Sequence, residues 1–494
     1  MKHGFKCRRE LVLLILLTMI VTLAKAQPGL AFYAFDDHFN SSSYNPAFLT
    51  SPEKFTLSIF PMAGTSLGYN NPAVFNKLVP KFISGVTTND DYREVLKNMV
   101  DWSYFHQNLE SSLLSFTYHS KIGFFNFRIK ENEYFSAAFD GELSRFLMKT
   151  SIQSVVLGQS QNLFAQAIHY REYSLGYSFK SSTDRFYAGI QAKMYFGKSA
   201  FYSGFSGSIQ GTTSGYDLKT SGIVNISIPD SYLTSDGEVT RVSFSGKSNT
   251  MDYLLNSGNT GFGVDLGIKY KVTPDLTFSM SVIDLGKINW KSNVNSRNLE
   301  GNQPLPATNI TKTTNAQGLD IITKGSGSDT YSDHIEHLDN VPDSASFSRT
   351  LPVNFYMGIK YQLNPGLTVS FTDRYLMLKG LNYNSFSASA NIDINKKLTI
   401  SAGYSIIGNS YTNIPVALLY NANFGQIYLG TDNLTSILLP SISEFAGISF
   451  GTCFYLSRKR NLYGEPSEEL PFYRPRKKRN IQKNGLLLKL FPDS

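Results

Sequence analysis

Two sets of residues in this chain could do chemistry. The first is Asp333-His334-Ile335-Glu336-His337-Leu338-Asp339, which gathers carboxylates and imidazoles of the kind that hold a metal ion. Its spacing matches no zinc pattern and it lies in a long polar stretch, so it reads as a solvated loop and no metal ligand is assigned. The second set is Lys193, Asp265, Lys269 and Lys360, charged residues on the small and polar phase of alternating segments. In an enclosed interior they would either fill and hydrogen-bond the space or meet a solute. The motifs of catalysis are missing: no P-loop, no His-Glu-x-x-His, no Gly-x-Ser-x-Gly, and Gly261-x-Gly263 precedes a strand instead of a helix. Cys7 and Cys453 cannot build a multi-cysteine site. The chain is therefore expected to be no enzyme and to carry no cofactor, catalytic residue or metal.

The elements that must position those charges show period-two alternation. Phe262, Val264, Leu266, Ile268 and Tyr270 share one face, with Gly263, Asp265, Gly267 and Lys269 on the other. Thr273-Pro274-Asp275 turns the chain, and Leu276, Phe278, Met280 and Val282 alternate with Thr277, Ser279 and Ser281. The unit recurs at Val353 to Tyr361 with Leu367 to Phe371, at Phe386 to Ile392 with Leu398 to Tyr404, at Pro415 to Tyr420 with Gln426 to Thr431, and at Gly447 to Leu456. Earlier candidates are Leu113 to Tyr118, Gly123 to Ile129, Tyr134 to Phe139, Tyr173 to Phe179, Phe186 to Phe196, Gly222 to Ile228 and Thr240 to Phe244. Together they number about 16.

A soluble sandwich also alternates, but its outer face carries Lys, Glu and Arg. Here the second face is Gly, Ser, Thr and Asn, and the apolar phase of these runs has no charge, as expected if each would cost roughly 2–4 kcal/mol at a bilayer midplane. From residue 261 onward, short connections (271–275, 363–366, 394–396, 421–425) alternate with longer ones (284–351, 374–384, 405–414, 432–445), the parity of an outer-membrane barrel. Tyr270, Tyr361 and Tyr404 fall near strand ends and Trp290 follows a strand, as interfacial girdle residues do.

Composition agrees. Of 494 residues 14% are aromatic and only 17% charged, too aromatic for disorder and too little charged for an average soluble domain. Residues 1–26 have the basic start, the apolar run Leu11 to Leu23 and the Ala24-Lys25-Ala26 site of a secretory signal peptide. After Ala26 no stretch is long and apolar enough for a spanning helix, so a membrane protein here must be a barrel. The net charge of +8 is terminal: +4 from residues 1–26 and +6 from 458–494, leaving −2 for the body and no nucleic-acid groove. Asn89 to Glu110 has helical spacing and is placed as a plug or lid, Leu143 to His169 reads as helical or irregular, and 284–351 as a long external loop. The reading is thus a signal peptide at 1–26, an N-terminal segment at 27–110 with a plug helix, a barrel at 111–456 and a basic periplasmic tail at 457–494.

The stretch from Gly261 to Tyr270, the Leu276 strand and Ile283-Asp284-Leu285-Gly286 resemble a hairpin of outer-membrane barrels related to the FadL fatty-acid transporters and the PorV-type proteins of Bacteroidetes. Tyr44-Asn45-Pro46-Ala47-Phe48 is similar to the Asn-Pro-Ala segment of that group. The resemblance implies a barrel of about 14 strands with an N-terminal segment in or near the lumen; with the strand count and helical spacing above, the expected fold is all-β, a transmembrane antiparallel β-barrel of about 14 to 16 strands with a short N-terminal helical plug segment. The resemblance also implies a Gram-negative outer membrane, and the parity of the connections puts both termini in the periplasm. Two functions follow: passive transport or binding of a small apolar molecule, or a PorV-like component supporting protein export or surface attachment through loops or tail. The partners expected are outer-membrane lipid with a small apolar solute or an envelope protein, and no nucleic acid.

Overall fold

The computed structural model describes residues 30–456 apart from 37, 50–52, 71–101, 141–152, 157–160, 213–214, 230, 236–239, 245–249, 306–309, 315–319, 325–338, 344–345, 379–380, 409 and 440–442. The signal peptide, residues 333–338 of the His-rich cluster and the basic tail at 457–494 lie outside the described residues.

Fourteen antiparallel staves close a ring. In chain order they are β1 (Phe55–Ile59 and Thr65–Asn70), β2 (Trp102–His119), β3 (Phe124–Asp140), β4 (Gln161–Lys180), β5 (Phe186–Thr212), β6 (Asn259–Lys271) and β7 (Leu276–Trp290). There follow β8 (Phe347–Thr350 and Val353–Asn364), β9 (Leu367–Leu378), β10 (Leu381–Asp393), β11 (Leu398–Ile407), β12 (Ser410–Asn413 and Val416–Asn421), β13 (Gly425–Thr431) and β14 (Phe445–Tyr455). Each stave pairs with its neighbours in sequence, and β14 returns to β1 through Leu67↔Ile448 and Leu57↔Phe454. Closure leaves no edge stave within the ring.

The alternation resolves into an outside and an inside. Phe262, Leu266, Ile268 and Tyr270 of β6 and Phe355, Met357, Ile359 and Tyr361 of β8 are exposed on the outer wall, as are Phe386, Tyr404, Leu429 and Phe450 further round. The opposite phase is buried although polar: Asn126, Ser174, Gln191, Ser281, Ser387 and Ser401 all face inward. Phe262, the largest apolar side chain of β6, is 66% exposed while Asp265 is 0% exposed, the inverse of a water-soluble sheet.

The sheet differs from the strand list in identifiable ways. Gly123 to Ile129 and Tyr134 to Phe139 belong to one stave, β3. Gly222 to Ile228 lies mostly in a strand outside the ring: Ala200–Thr212 of β5 runs past the barrel and pairs with Gly215–Ser227, which pairs with Val294–Leu305, which pairs with Asp339–Asp343. Thr240–Phe244 pairs with Ser231–Ser235. The stave β1 is the addition. The helical reading of Asn89 to Glu110 is corrected over its second half, since Trp102–Glu110 is β2 paired along β3; 89–101 lie outside the described residues. Leu143 to His169 is corrected likewise, because Gln161–His169 is β4. Its two phases are mixed, Leu163, Ala165 and Ala167 on one and Phe164, Gln166 and Ile168 on the other, so no apolar-polar alternation marks the strand. The 284–351 connection also carries strand at both ends, and the 374–384 connection shrinks to residues 379–380.

Trp290 is not a girdle residue. It is fully buried among Tyr195, Tyr202, Ile288 and Leu351, stacked on Phe347. Gly197 leaves it room, because a Cβ there would collide with the indole. This aromatic cluster fills the barrel where the projecting strands begin.

Candidate functional site

The second filling of the barrel is the N-terminal segment Leu30–Leu49. Leu30 packs with Leu376, Leu378, Tyr383, Ile407 and Phe445, at the ends of β9, β10, β11 and β14 on the long-connection rim. From there the chain descends. Ala34 carbonyl accepts from Asn391 Nδ2 on β10 (3.0 Å), and Phe39 N–H donates to Gln426 Oε1 on β13 (2.6 Å). The segment then turns back along the wall of β3, β5, β6 and β7. A segment held from every quarter of a closed ring lies within it. Its aromatic residues form the seam: Phe32 meets Tyr428 edge-on at 5.1 Å, Tyr33 stacks on Tyr356 at 5.0 Å, and Tyr33 meets Phe48 at 5.1 Å.

The turn back is built by Asn45-Pro46-Ala47-Phe48. Asn45 Oδ1 accepts from Ala47 N–H (2.9 Å) and caps the short 3-10 turn Pro46–Phe48, with Pro at its first position where no donor is needed. Asn45 Nδ2 faces the wall, 3.1 Å from the Ile268 carbonyl of β6 and 3.2 Å from the Met280 carbonyl of β7. Ile268 and Met280 are direct partners, so one amide group fastens the segment across a strand seam.

Ion pairs make the remaining ties. Asp36 sits between Lys269 of β6 (3.4 Å) and Lys360 of β8, which both donate to its carboxylate. Burial works to raise the Asp36 pKa, but Lys360 and then Lys269 outweigh it and hold the group below the usual carboxylate range. The Lys269 ammonium also lies 4.6 Å from the Tyr187 ring centre. Arg128 of β3, fully buried, donates to the hydroxyls of Ser42 and Ser43. His38 Nδ1–H donates to the Phe35 carbonyl at 2.6 Å, and burial pushes its imidazole down to about 4.

Lys193 and Asp265 belong to another group, higher on the wall. Lys193 Nζ lies 2.6 Å from Asp284 Oδ1, 2.8 Å from Asp265 Oδ2 and 3.6 Å from Glu172 Oε2. Asp265 Oδ1 accepts from the Asp284 N–H (2.7 Å). A bulge in the β6–β7 pairing between Val264 and Leu266, with Asp284 at φ 65°, turns both aspartates to one side. Lys130 and Glu110 form a further pair at 3.0 Å. Between these groups and Tyr44 of the segment is a cavity of about 30 Å³, edged by His106, Asn108, Arg374 and Tyr356. That is room for water, not for a solute.

The structure thus places the four sequence-derived residues in two sites: Lys269 and Lys360 on Asp36, and Lys193 and Asp265 on Asp284 and Glu172. Asp36, Arg128, Glu172 and Asp284 were not singled out by periodicity. Arg128 was findable, being in inward phase with Asn126. Asp284 was not, because a bulge resets the phase. Among the described residues no three His, Cys, Asp or Glu side chains converge as metal ligands.

Solved structures with a similar trace include two toluene transporters and a FadL homologue. The toluene transporter TbuX of Ralstonia pickettii is 12% identical, with 87% of this chain and 94% of that chain covered and a TM-score of 0.33. The toluene transporter TodX of Pseudomonas putida is 9% identical, with 87% and 93% covered and a TM-score of 0.32. A FadL homologue of Pseudomonas aeruginosa is 9% identical, with 87% and 92% covered and a TM-score of 0.33. Their cargoes are properties of those proteins, and none of the three bears on the PorV-type branch or on the Bacteroidetes. No curated protein matches the chain. Residues 46–432, from the capped Asn-Pro-Ala turn to the last stave but one, match a family of unknown function, DUF5723, and the chain belongs to that family.

Proposed function

We propose that the protein is an outer-membrane barrel serving as a passive route for small molecules with an apolar body, closed at rest by Leu30–Leu49. The observation that carries this reading is the seating of that segment: it fills the ring and is held by side-chain contacts that can be broken without opening the sheet. The outer belt of Phe, Ile, Leu and Tyr supports a hydrocarbon surround. The parity of the connections supports external long loops and a periplasmic end at Tyr455.

The cargo class follows from the seam. When the segment shifts, its rings Phe32, Tyr33 and Phe48 part from Tyr356 and Tyr428 of the wall, and a passage opened along that seam has aromatic rings on both sides, which suit an apolar body. Lys130, Arg374 and His106 lie above the seam and tolerate a polar end. The test is uptake of the apolar dye 1-N-phenylnaphthylamine by cells expressing the chain. Uptake should exceed that of cells without it and rise further with Asp36→Ala. Unchanged dye uptake alongside rapid sugar entry would reject the cargo class, and no change for either would reject the route.

A further inference from the structure

A polar group on the outer wall takes no part in the route. Glu131 on β3 and His169 and Arg171 on β4 have the outward phase, opposite to the buried Asn132, Ile168 and Tyr170. Ser199 on β5 is the direct partner of His169, and Lys198 is the extra residue of a bulge, since the next pair is Tyr170 with Gly197. Such bulges re-aim side chains beside active sites. The last member, Tyr253, comes from the short helix Thr250–Leu255 that leads to β6. The sequence expectation of no catalytic residue passes over this group because its members stand on three staves and a helix, in no contiguous motif.

These side chains form a directed line of hydrogen bonds. Arg171 Nε donates to Glu131 Oε1 (2.6 Å), and His169 Nε2–H donates to Glu131 Oε2 (3.2 Å). That leaves His169 Nδ1 as the basic nitrogen, and the Tyr253 hydroxyl donates to it at 2.6 Å. The Tyr253 oxygen in turn accepts from Ser199 Oγ (3.1 Å). A hydroxyl nucleophile wired to an imidazole, with a carboxylate orienting the far ring nitrogen, is the arrangement of covalent acyl transfer. Lys198, next to Ser199, donates from Nζ to the Asn256 carbonyl (2.6 Å) and has two further N–H bonds to offer an oxyanion.

We infer that this group is a serine esterase centre for the acyl esters of lipids. Ser199 Oγ bonds to the acyl carbonyl carbon as its proton passes to Tyr253, whose own proton moves to His169 Nδ1. The bond to the alcohol oxygen breaks as Tyr253 gives that oxygen a proton and recovers one from His169. Water then repeats the sequence on acyl-Ser199 and frees the carboxylic acid. Glu131, held by Arg171, is a positioning residue that fixes the imidazole and steadies its charged form. The substrate class follows from the surroundings. Met251 and Leu255, on the helix that carries Tyr253, are 59% and 67% exposed, and the exposed Leu175 and Phe135 flank the group along the wall. An ester with apolar chains matches that surface. Its source in a bilayer rests on the membrane reading proposed above, whereas the serine chemistry does not.

The test treats the full chain in detergent micelles with a fluorophosphonate, which transfers its phosphonyl group to an activated serine oxygen with loss of fluoride. Mass spectrometry should place the label on Ser199. His169→Gln should lower labelling about 100-fold or more while mobility on unboiled gels shows the barrel intact. Hydrolysis of p-nitrophenyl octanoate should fall to the protein-free rate in Ser199→Ala and by about 100- to 10,000-fold in Tyr253→Phe. Glu131→Gln should lower kcat and leave KM unchanged, a split that loss of folded protein would not produce. Label on Tyr253, no label on the folded chain, or hydrolysis that survives Ser199→Ala would overturn the centre, and faster cleavage of p-nitrophenyl acetate than of the octanoate would overturn the lipid class. Flotation with phosphatidylcholine vesicles separates the two readings. A chain that takes label at Ser199 and does not float refutes the membrane reading alone, whereas one that floats and takes no label refutes the centre alone.

Discussion

Gly189 of β5 and Gly267 of β6 face each other directly across the strand pair, and the Asn45-Pro46 peptide lies on the bare patch they make. A Cβ on Gly267 would strike the Asn45 side chain, and one on Gly189 would strike the Pro46 backbone. Close approach is the use of glycine here, since both residues are ordinary strand. Gly267→Val should therefore lift the turn from the wall, weakening its seating by about 1–3 kcal/mol. Chymotrypsin, for which the segment has many Phe and Tyr sites, should cut within residues 30–49 several times faster than in the parent. Unchanged cleavage would mean that the patch does not seat the turn.

Acid should loosen the same segment before it affects the ring. His38 has its imidazole pushed down to about 4 in the folded state, against about 6.5 when unfolded. Between those values the unfolded form binds the extra proton, so stability falls as pH drops through that window. Asp36, held below the usual carboxylate range, adds its own loss only as pH falls below about 3.9. Hydrogen exchange of residues 30–49, corrected for the intrinsic rate, should show protection declining from pH 7 to pH 4.5, and His38→Gln should flatten the decline.

The Lys193 group is a stability element of the wall. Lys193→Met leaves Asp265, Asp284 and Glu172 buried around an apolar side chain, which should cost about 3–5 kcal/mol as for other broken buried pairs. The gel transition between folded and unfolded mobility should move to lower temperature or urea, while Lys193→Arg recovers part of the loss. A transition left in place would show that water, not Lys193, compensates the carboxylates.

Trp290 offers an optical check on which way the upper wall faces. With Trp102→Phe in place, Trp290 is the sole tryptophan. Its position inside the ring predicts emission that brominated lipid tails do not quench, and Trp290→Ala should destabilise the barrel by about 3–5 kcal/mol. Strong quenching would return the residue to the membrane interface.

These sites show what could be seen in the sequence and what could not. The staves from β6 to β14 were legible because hydrocarbon outside and a polar filling inside impose strict alternation on pairs such as Phe262 and Gly263. β1 escaped because it is two short pieces interrupted at Phe60-Pro61. The projecting Gly215–Ser227 strand drew attention only at its end, since away from the belt nothing enforces the pattern. Lys269 and Lys360 could be placed on the inner phase, but their shared partner Asp36 is 233 and 324 residues away. Alternation tells which side a residue takes, not what waits there. The Asn-Pro-Ala turn was visible as a motif; that it rests on two glycines from different strands is a fact of register alone.

The meeting of β14 with β1 sets an order of events. The ring is completed by the last stave and the first, and the stretch it encloses is synthesised before either. Leu30–Leu49 must be aboard before the hoop shuts, because afterwards it would have to thread a bore already narrowed by Trp290 and its aromatic neighbours and by the inward side chains of Arg128, Lys269 and Lys360. Closing this barrel and corking it are one act of assembly.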